Sequence, residues 1–387
     1  MRGRFSITSS GAALASGGVV CYAGGVLLGY PTLVHLAVGA LAILVAGALT
    51  MAVRPMVTLS RRVTPDRVTV GEQALGQLLV RNVSRWPAPG FAAVDVVGGE
   101  PVTLQIGVLV GFGQRAVRYP IPAQRRGRLL LGPLTVERSD PLRLFVWRQR
   151  QTADGVLWVH PRVHPLRPLP VGVVLDYEGR TTQHARPGTV TFSSLREYVP
   201  GDDPRQIHWR STARTGTLIV REHVDTTEPT TTVVLDTRTR ALDAESFEHA
   251  VEFAASLVRA VEETGRPVAL HVVGEHAGDA LAAGATGSLD RLAMAERLSG
   301  MDSVLLIETV DRIPPGGALA VVTGSIPPGE LAKLAAQRNR YSPVVVAMVD
   351  PQSDAGVQRR PGMALLTAST AAEAATAWHR MVNGDAG

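Results

Sequence analysis

Residues 5–53 read FSITSSGAALASGGVVCYAGGVLLGYPTLVHLAVGALAILVAGALTMAV, bounded by Arg4 and Arg54, with no Asp, Glu, Lys or Arg in between. A helix needs about 20 apolar residues, at about 1.5 Å each, to cross the hydrocarbon core of a bilayer. The stretch holds two such spans, expected over residues 11–29 and 32–53. Tyr30-Pro31 separates them, because Pro31 has no N–H with which to continue a helix. So short a junction makes the spans an antiparallel hairpin. Small residues four apart (Ala13/Gly17, Gly25/Gly29 and Ala42/Ala46) would let the helices approach closely. A cleaved signal peptide is the competing reading of the first span; against it, a second span follows at once and Arg54 ends it.

Charge orients the hairpin. Arg2 and Arg4 precede it, Arg54, Arg61, Arg62 and Arg67 follow it, and the Tyr30-Pro31 loop carries no basic residue. The positive-inside rule then expects both termini, and more than 300 residues, on the cytoplasmic side. Of the 387 residues only 19% are charged, below the ~25% of an average soluble domain. Net charge is +2 over residues 1–53, +9 over 54–150, zero over 151–230 and −6 over 231–387. The basic segment therefore adjoins the hairpin, which suits an anionic bilayer surface. A nucleic-acid partner is not expected, since that segment lacks interleaved aromatic residues and the chain is membrane-held. The lone Cys21 excludes an internal disulfide and a thiolate zinc cluster. His35, near the loop, reads as an interfacial residue rather than a ligand.

Residues 57–160 read as short strands at 67–70, 77–82, 92–97, 102–110, 116–121, 129–136 and 156–160, divided by Gly- and Pro-rich turns. That spacing suggests a β-sandwich-like module. Arg125, Arg126 and Arg128 form a basic knot, read either as a headgroup contact or as a solvated turn. Residues 161–187, with Pro161, Pro165, Pro168 and Pro170, read as a junction.

The most distinctive block runs from Phe192 to Glu222, FSSLREYVPGDDPRQIHWRSTARTGTLIVRE. Pro200-Gly201 reads as a turn, Asp203 as a helix cap and Pro204 as a first helical residue. A helix over residues 204–214 follows, with Ile207, Trp209 and Ala213 turned inward, Gly216 as its stop and a strand over 217–224. Charge is dense here: Arg196, Glu197, Asp202, Asp203, Arg205, Arg210, Arg214, Arg221 and Glu222. Three readings stand. The charges form a network that fixes the turn; or they form, with Tyr198, His208 and Trp209, a surface for an anion or a partner; or His208 works with Asp202 or Asp203 as a catalytic pair. No Ser or Cys nucleophile motif accompanies His208.

Arg196-Glu197-Tyr198, Gly201-Asp202-Asp203-Pro204-Arg205, Ile207-His208-Trp209 and Val220-Arg221-Glu222 resemble the signature of the bacterial family called domain of unknown function 58. Arg126-Gly127-Arg128, Leu131-Gly132-Pro133 and Asp140–Phe145 extend the resemblance. The last departs at Leu142 and Arg143 from the family's Asp-Pro-Phe-Gly-Leu-Phe, so a different turn is expected there. The hairpin is similar as well, and the resemblance spans essentially the whole chain.

Residues 231–382 alternate strand and helix, a pattern for a doubly wound, mostly parallel sheet. The expected elements are strands at 231–237, 267–273, 318–323, 344–349 and 364–367, and helices at 244–264, 289–298, 328–338 and 371–382. The resemblance implies a von Willebrand factor A-like domain. Such domains bind a divalent ion through Asp-x-Ser-x-Ser after the first strand. Here Asp236 is followed by Arg238 and Arg240 in the two Ser positions, so no metal is expected; Asp236 should pair with an Arg or cap a turn. With no Gly-rich phosphate loop, no nucleotide cofactor is expected either.

The expected fold class is thus a membrane-anchored multidomain α+β protein. It comprises a transmembrane hairpin (1–56), a β-sandwich-like module (57–160), a linker with the signature block (161–230) and a von Willebrand factor A-like α/β domain (231–387). The function expected is a membrane-tethered cytoplasmic adaptor without catalysis. The resemblance implies a MoxR-type AAA+ ATPase as its partner, in assembly or maturation of other complexes. Two alternatives stay open: a sensor of anionic lipid or envelope precursor at the membrane face, and an enzyme using His208 with Asp202 or Asp203.

Overall fold

Two antiparallel helices of 20 residues each, α1 (Ser9–Leu28) and α2 (Pro31–Thr50), open the computed structural model of the chain. The structure describes residues 3–151, 153–169, 173–175, 181–183, 191–199, 207–224, 230–275, 284–300 and 304–384. These fall into two compact units, Met1–His160 and Pro161–Gly387.

Both helices are long and apolar enough to cross a bilayer. The Thr8 hydroxyl accepts the Gly11 N–H at 3.1 Å and starts α1. Gly29, at φ 72°, stops it in the left-handed region, and Pro31 takes the first position of α2. The close approaches differ partly from those expected. Gly25 lies against Val34 and Gly18 faces Ala40, whereas nothing lies within 4 Å of where a Cβ on Gly17 would be.

The rest of the first unit is β structure. Its strands are β1 (Arg4–Ile7), β2 (Val57–Thr64), β3 (Arg67–Thr69), β4 (Gln73–Asn82), β5 (Phe91–Val97), β6 (Glu100–Ile106), β7 (Gln114–Pro122), β8 (Gly127–Leu131), β9 (Leu134–Ser139), β10 (Phe145–Gln151) and β11 (Gly155–His160). One sheet runs β2-β4-β7; the other runs β1-β10-β9-β5-β8-β11-β3, with β6 paired to β5. Burial alternates along β4 and β5, as a period of two requires when one face meets a core. Leu78, Val80 and Ile121 of the smaller sheet pack with Ala93, Leu134, Val136 and Leu157 of the larger. Several features differ from the sequence reading. Residues 129–136, read as one strand, are two, separated at Gly132, which sits at φ 104°. The strand read over 102–110 ends at Ile106. Neither β2 nor β10 was anticipated. Nor was β1, whose four exposed residues carry no alternation and are held only by pairing to β10.

That pairing joins the hairpin to the sandwich. The Phe5 ring stacks on Phe145 at 5.4 Å. Thr8 N–H donates to the Leu144 carbonyl at 2.9 Å, and its hydroxyl donates to the Arg143 carbonyl at 2.7 Å. At the other helix, Arg138 donates to the carbonyls of Thr50 and Val53 and so satisfies groups left over where α2 ends. Gly11 lies so close to the Leu144 carbonyl that a Cβ would overlap it. Arg143 stands at φ 54°, so this turn adopts the left-handed geometry that the family's glycine would adopt freely.

A buried polar group ties the two sheets. Arg61 of β2 meets Asp95 of β5 at 2.6 Å and donates to the Leu131 carbonyl at 2.9 Å. The Tyr119 hydroxyl, from β7, donates to the other Asp95 oxygen. Burial, and then the bond to Asp95, pushes the Tyr119 phenol above its ordinary value. Asp95→Ala strands the Arg61 guanidinium in the core; a loss of about 3–5 kcal/mol is expected in denaturant titration of the full chain. The Tyr119 shift also sets a pH dependence. Above about pH 10 the unfolded chain releases this proton while the native chain keeps it, so stability falls as pH rises. Tyr119→Phe should flatten that alkaline slope.

The second unit contains a short ladder of β12 (Val173–Leu175) with β13 (Thr181–Gln183), inside the segment read as a loop. A second ladder joins β14 (Thr191–Glu197) to β15 (Ile219–Val224), with α3 (Trp209–Thr215) between them in sequence. Its main body is a six-stranded sheet of β16 (Thr231–Leu235), β17 (Val268–Val272), β18 (Ala318–Thr323), β19 (Val344–Val349), β20 (Gly356–Arg360) and β21 (Met363–Ala368). The order is β17-β16-β18-β19-β21-β20, parallel except for the edge strand β20. Its helices are α4 (Ala244–Glu262), α5 (Ser288–Met294), α6 (Val304–Arg312), α7 (Pro328–Ala336) and α8 (Ala371–Asn383).

α4 and α8 cover one face, where Phe253 meets Trp378 edge to face at 5.9 Å. Leu306, Val310, Leu331 and Leu334 of α6 and α7 cover the other. Buried on both faces, β16 and β18 read as continuous apolar or Thr-containing runs rather than alternations. Neither α6 nor β20 was anticipated, and α5 ends at Met294 rather than at 298. Neighbouring strands leave β16 in opposite directions, which opens a crevice beyond the carboxyl ends of β16 and β18.

Candidate interaction site

Asp236 follows β16 at that crevice and is fully buried. Its N–H donates to the Val322 carbonyl at 2.8 Å, which extends the sheet by one bond. Arg238 folds back over it. Its Nε donates to Asp236 Oδ1 at 2.9 Å and its Nη2 to Oδ2 at 2.8 Å, a two-pronged pair. The same Nη2 donates to Glu330 Oε2 at 2.9 Å, and the Thr323 hydroxyl, at the end of β18, donates to Asp236 Oδ2 at 2.7 Å. Glu330 stands in the first turn of α7, where the helix dipole favours a carboxylate. Burial by itself lowers the guanidinium's proton affinity, but the bonds to Asp236 and Glu330 outweigh it and hold Arg238 above its ordinary value.

This is a carboxylate-lined crevice with its cation supplied by the chain. A divalent ion would need the oxygens of Asp236, Glu330 and Thr323, and these already bond to Arg238 or to one another. Arg240 is exposed on the following turn, away from the buried pair. Among the described residues no group of three or more His, Cys, Asp or Glu is placed to hold a metal. A cavity among Leu169, Val233, Leu257, Val261 and Trp378 is apolar and about 10 Å³, room for one water and no metabolite.

The signature block forms a separate surface. β14 and β15 pair from Thr191↔Val224 to Glu197↔Ile219, with a register shift between Phe192 and Ser194. Tyr198 N–H donates to Leu218 O at 2.8 Å and His208 N–H to Ile219 O at 2.7 Å, so both ends of the 199–207 segment are tied to β15 or the residue before it. The helix is shorter than the sequence suggests, running from Trp209 to Thr215 with His208 in the cap position and no side-chain cap bond. Gly216, at φ 75°, ends it.

Trp209 does not turn inward: it is 67% exposed, and Ala213 is exposed too. The reason is length. A helix of two turns on a two-stranded ladder has too little neighbouring surface to bury an indole. Arg210, Arg214 and Glu197 are exposed, while Tyr198 and His208 are half-buried. His208 Nδ1 lies 2.6 Å from the Ser211 hydroxyl, within its own helix turn. Asp202, Asp203 and Arg205, together with the Arg196 side chain, lie outside the described residues. Sequence reasoning missed Glu330, 92 positions from its partner Arg238, and Thr323, 87 positions from its partner Asp236; both pairs meet only through the fold.

Arg238→Ala leaves two buried carboxylates that had been within 3 Å of one nitrogen. About 3–5 kcal/mol of stability should be lost near neutral pH, measured by denaturant unfolding.

Residues 194–355, from within β14 through β19, match the family described as protein of unknown function DUF58. No curated protein matches the chain. The CARDB domain of a Pyrococcus furiosus protein, solved with di-metal ions, is 16% identical over 27% of this chain and 89% of its own, at a TM-score of 0.22. Pseudomonas fluorescens alkylpurine DNA glycosylase AlkC, bound to DNA with an abasic site analog, is 15% identical over 34% of this chain and 40% of its own, at 0.20. A Listeria innocua beta-glucosidase is 12% identical over 27% of this chain and 16% of its own, at 0.18.

Proposed function

We propose that this DUF58 protein is a membrane-tethered cytoplasmic adaptor that performs no chemistry of its own and docks a partner through the face carrying Trp209, Arg210 and Arg214. One observation carries the reading. Within the family-matched segment, a helix held to its ladder by backbone bonds at its start presents an exposed Trp flanked by exposed Arg. Trp and Arg are the residues that most often dominate the energy of protein interfaces, and a side chain displayed on a braced helix loses little entropy on binding.

The crevice supports the same reading. In open α/β sheets ligands bind at the switch point, and here Arg238 fills it. Residues 231–387 are read as von Willebrand factor A-like because the first strand lies between the second and third parallel strands with an Asp just past its carboxyl end. The partner proposed is a MoxR-type AAA+ ATPase, as the family resemblance implies. Placement of both termini and of the second unit in the cytoplasm rests on the arginines that flank the hairpin.

The test is affinity capture of the detergent-solubilised full chain from its native host, with and without ATP. Wild type should enrich an AAA+ ATPase in a nucleotide-dependent way. Trp209→Ala and Arg214→Glu should each lower that capture about tenfold, in line with interface residues worth more than 1 kcal/mol, with the melting temperature unchanged. Recovery of the protein alone, or undiminished capture by both variants, would overturn the assignment.

A further inference from the structure

At the end of the sandwich where the hairpin joins it, the loops over residues 83–90 and 107–113 present a row of exposed apolar side chains. Met56, Val83, Trp86, Val108, Val110 and Phe112 are all exposed, Val110 by 70% and Trp86 by 66%. A contiguous apolar patch on a folded domain marks a contact surface. The loops are built rather than loose. Asn82, fully buried, donates to the carbonyls of Trp86 (2.8 Å) and Val110 (3.0 Å) and accepts from Ser84 N–H (3.0 Å). Phe112 N–H donates to Ser84 O at 2.9 Å, and Ala88 and Leu109 exchange bonds of 2.8 and 3.0 Å.

Phe112 adopts φ 56° while its ring stays 65% exposed. A bulky residue in the left-handed region is strained, and here no burial within the chain offsets the strain. The other non-glycine residue at positive φ among those described is Arg143, next to the exposed Leu142 in the turn that receives Thr8. Both strained residues therefore sit in loops at the hairpin end.

Two facts identify the occupant. The first is continuity. Val83 N–H donates to Met56 O at 2.9 Å, and Met56 is two residues beyond Arg54, where the apolar stretch ends. The second is charge. Arg54, Arg81, Arg85 and Arg115 are exposed around the patch, Arg85 lies 5.1 Å from the centre of the Trp86 ring, and residues 73–94 and 101–136 contain no acid. An apolar tip with Trp and a rim of Arg is the composition that settles at the headgroup level of a bilayer carrying anionic lipid.

We infer that these two loops form a second membrane contact: their apolar tips enter the interfacial layer of the same leaflet from which the hairpin emerges, and their arginines hold anionic headgroups. The inference rests on the hairpin spanning the bilayer. Hairpin and loops together would fix the tilt of the sandwich on the membrane, where a flexible tether would leave it free.

The test uses the full chain in vesicles of phosphatidylcholine and phosphatidylglycerol. In a Cys21→Ser background, an environment-sensitive fluorophore is placed at Val110→Cys, at Phe112→Cys as a second position, and at Glu100→Cys as a control on an exposed strand end. Native Cys21, labelled in the unsubstituted chain before reconstitution, reports on the hairpin. Unchanged melting shows that each labelled protein is folded. Probes at 110 and 112 should be blue-shifted and quenched by brominated lipid several-fold more than the probe at 100. Arg85→Glu with Arg115→Glu should reduce that quenching. If the Cys21 probe is lipid-quenched while 110 and 112 are quenched by aqueous iodide as strongly as 100, the loops do not touch the bilayer and the patch faces a protein instead. If the Cys21 probe is not lipid-quenched, the hairpin reading fails and this inference with it.

Discussion

The guanidinium of Arg238, held between the carboxylates of Asp236 and Glu330, governs what the second unit can do. The crevice beside β16 is where an open α/β sheet ordinarily admits a ligand or an ion. A buried carboxylate there is costly unless paired, and the pairing group can be an ion from solution or a side chain from the chain itself. This chain uses the side chain. The bonds draw the turn after β16 onto the first turn of α7, and Thr323 fixes the end of β18 to the same oxygen. One interaction thus fills the crevice and locks two strand ends.

The first unit applies the same rule. Its core holds the buried Arg61–Asp95 pair with Tyr119, which spans the two sheets and resists a slip of one against the other. Its helices are joined to the sandwich by backbone bonds from β1 and Thr8 and by Arg138 at the carbonyls of Thr50 and Val53. Such joints use groups that would otherwise lack partners: an edge strand, a helix start and a helix end. Hairpin and sandwich consequently belong to one compact unit, which gives the exposed loops beside Met56 a definite place relative to the hairpin.

Much of the architecture is legible in residue patterns. The absence of charge from residue 5 to residue 53 points to two helices long and apolar enough to span a bilayer, and the patterns along 77–82 and 92–97 mark strands with one buried face. The run Val344–Val349 reads as a strand buried on both faces. Failures occur where local preference and tertiary context compete. β1 has no pattern and exists because β10 offers an edge. Ile207 and His208 read as part of a helix, yet Ile207 bridges to Val220 and the helix begins at Trp209. Trp209 reads as core because indoles usually are buried, but it is exposed, with no element among the described residues lying over it.

The sequence by itself determined the apolar helical hairpin, the succession of a β-rich half and an α/β half, and the family signature. Each of these is a local property: hydropathy, periodicity or a run of adjacent residues. Only the tertiary structure decided that Glu330 and Thr323 meet at Asp236, that Arg61 and Tyr119 meet at Asp95, and that Trp209, Val110 and Phe112 remain uncovered. Pairing and exposure depend on which distant segments come together, and a linear pattern fixes how a segment folds without fixing what lands on it.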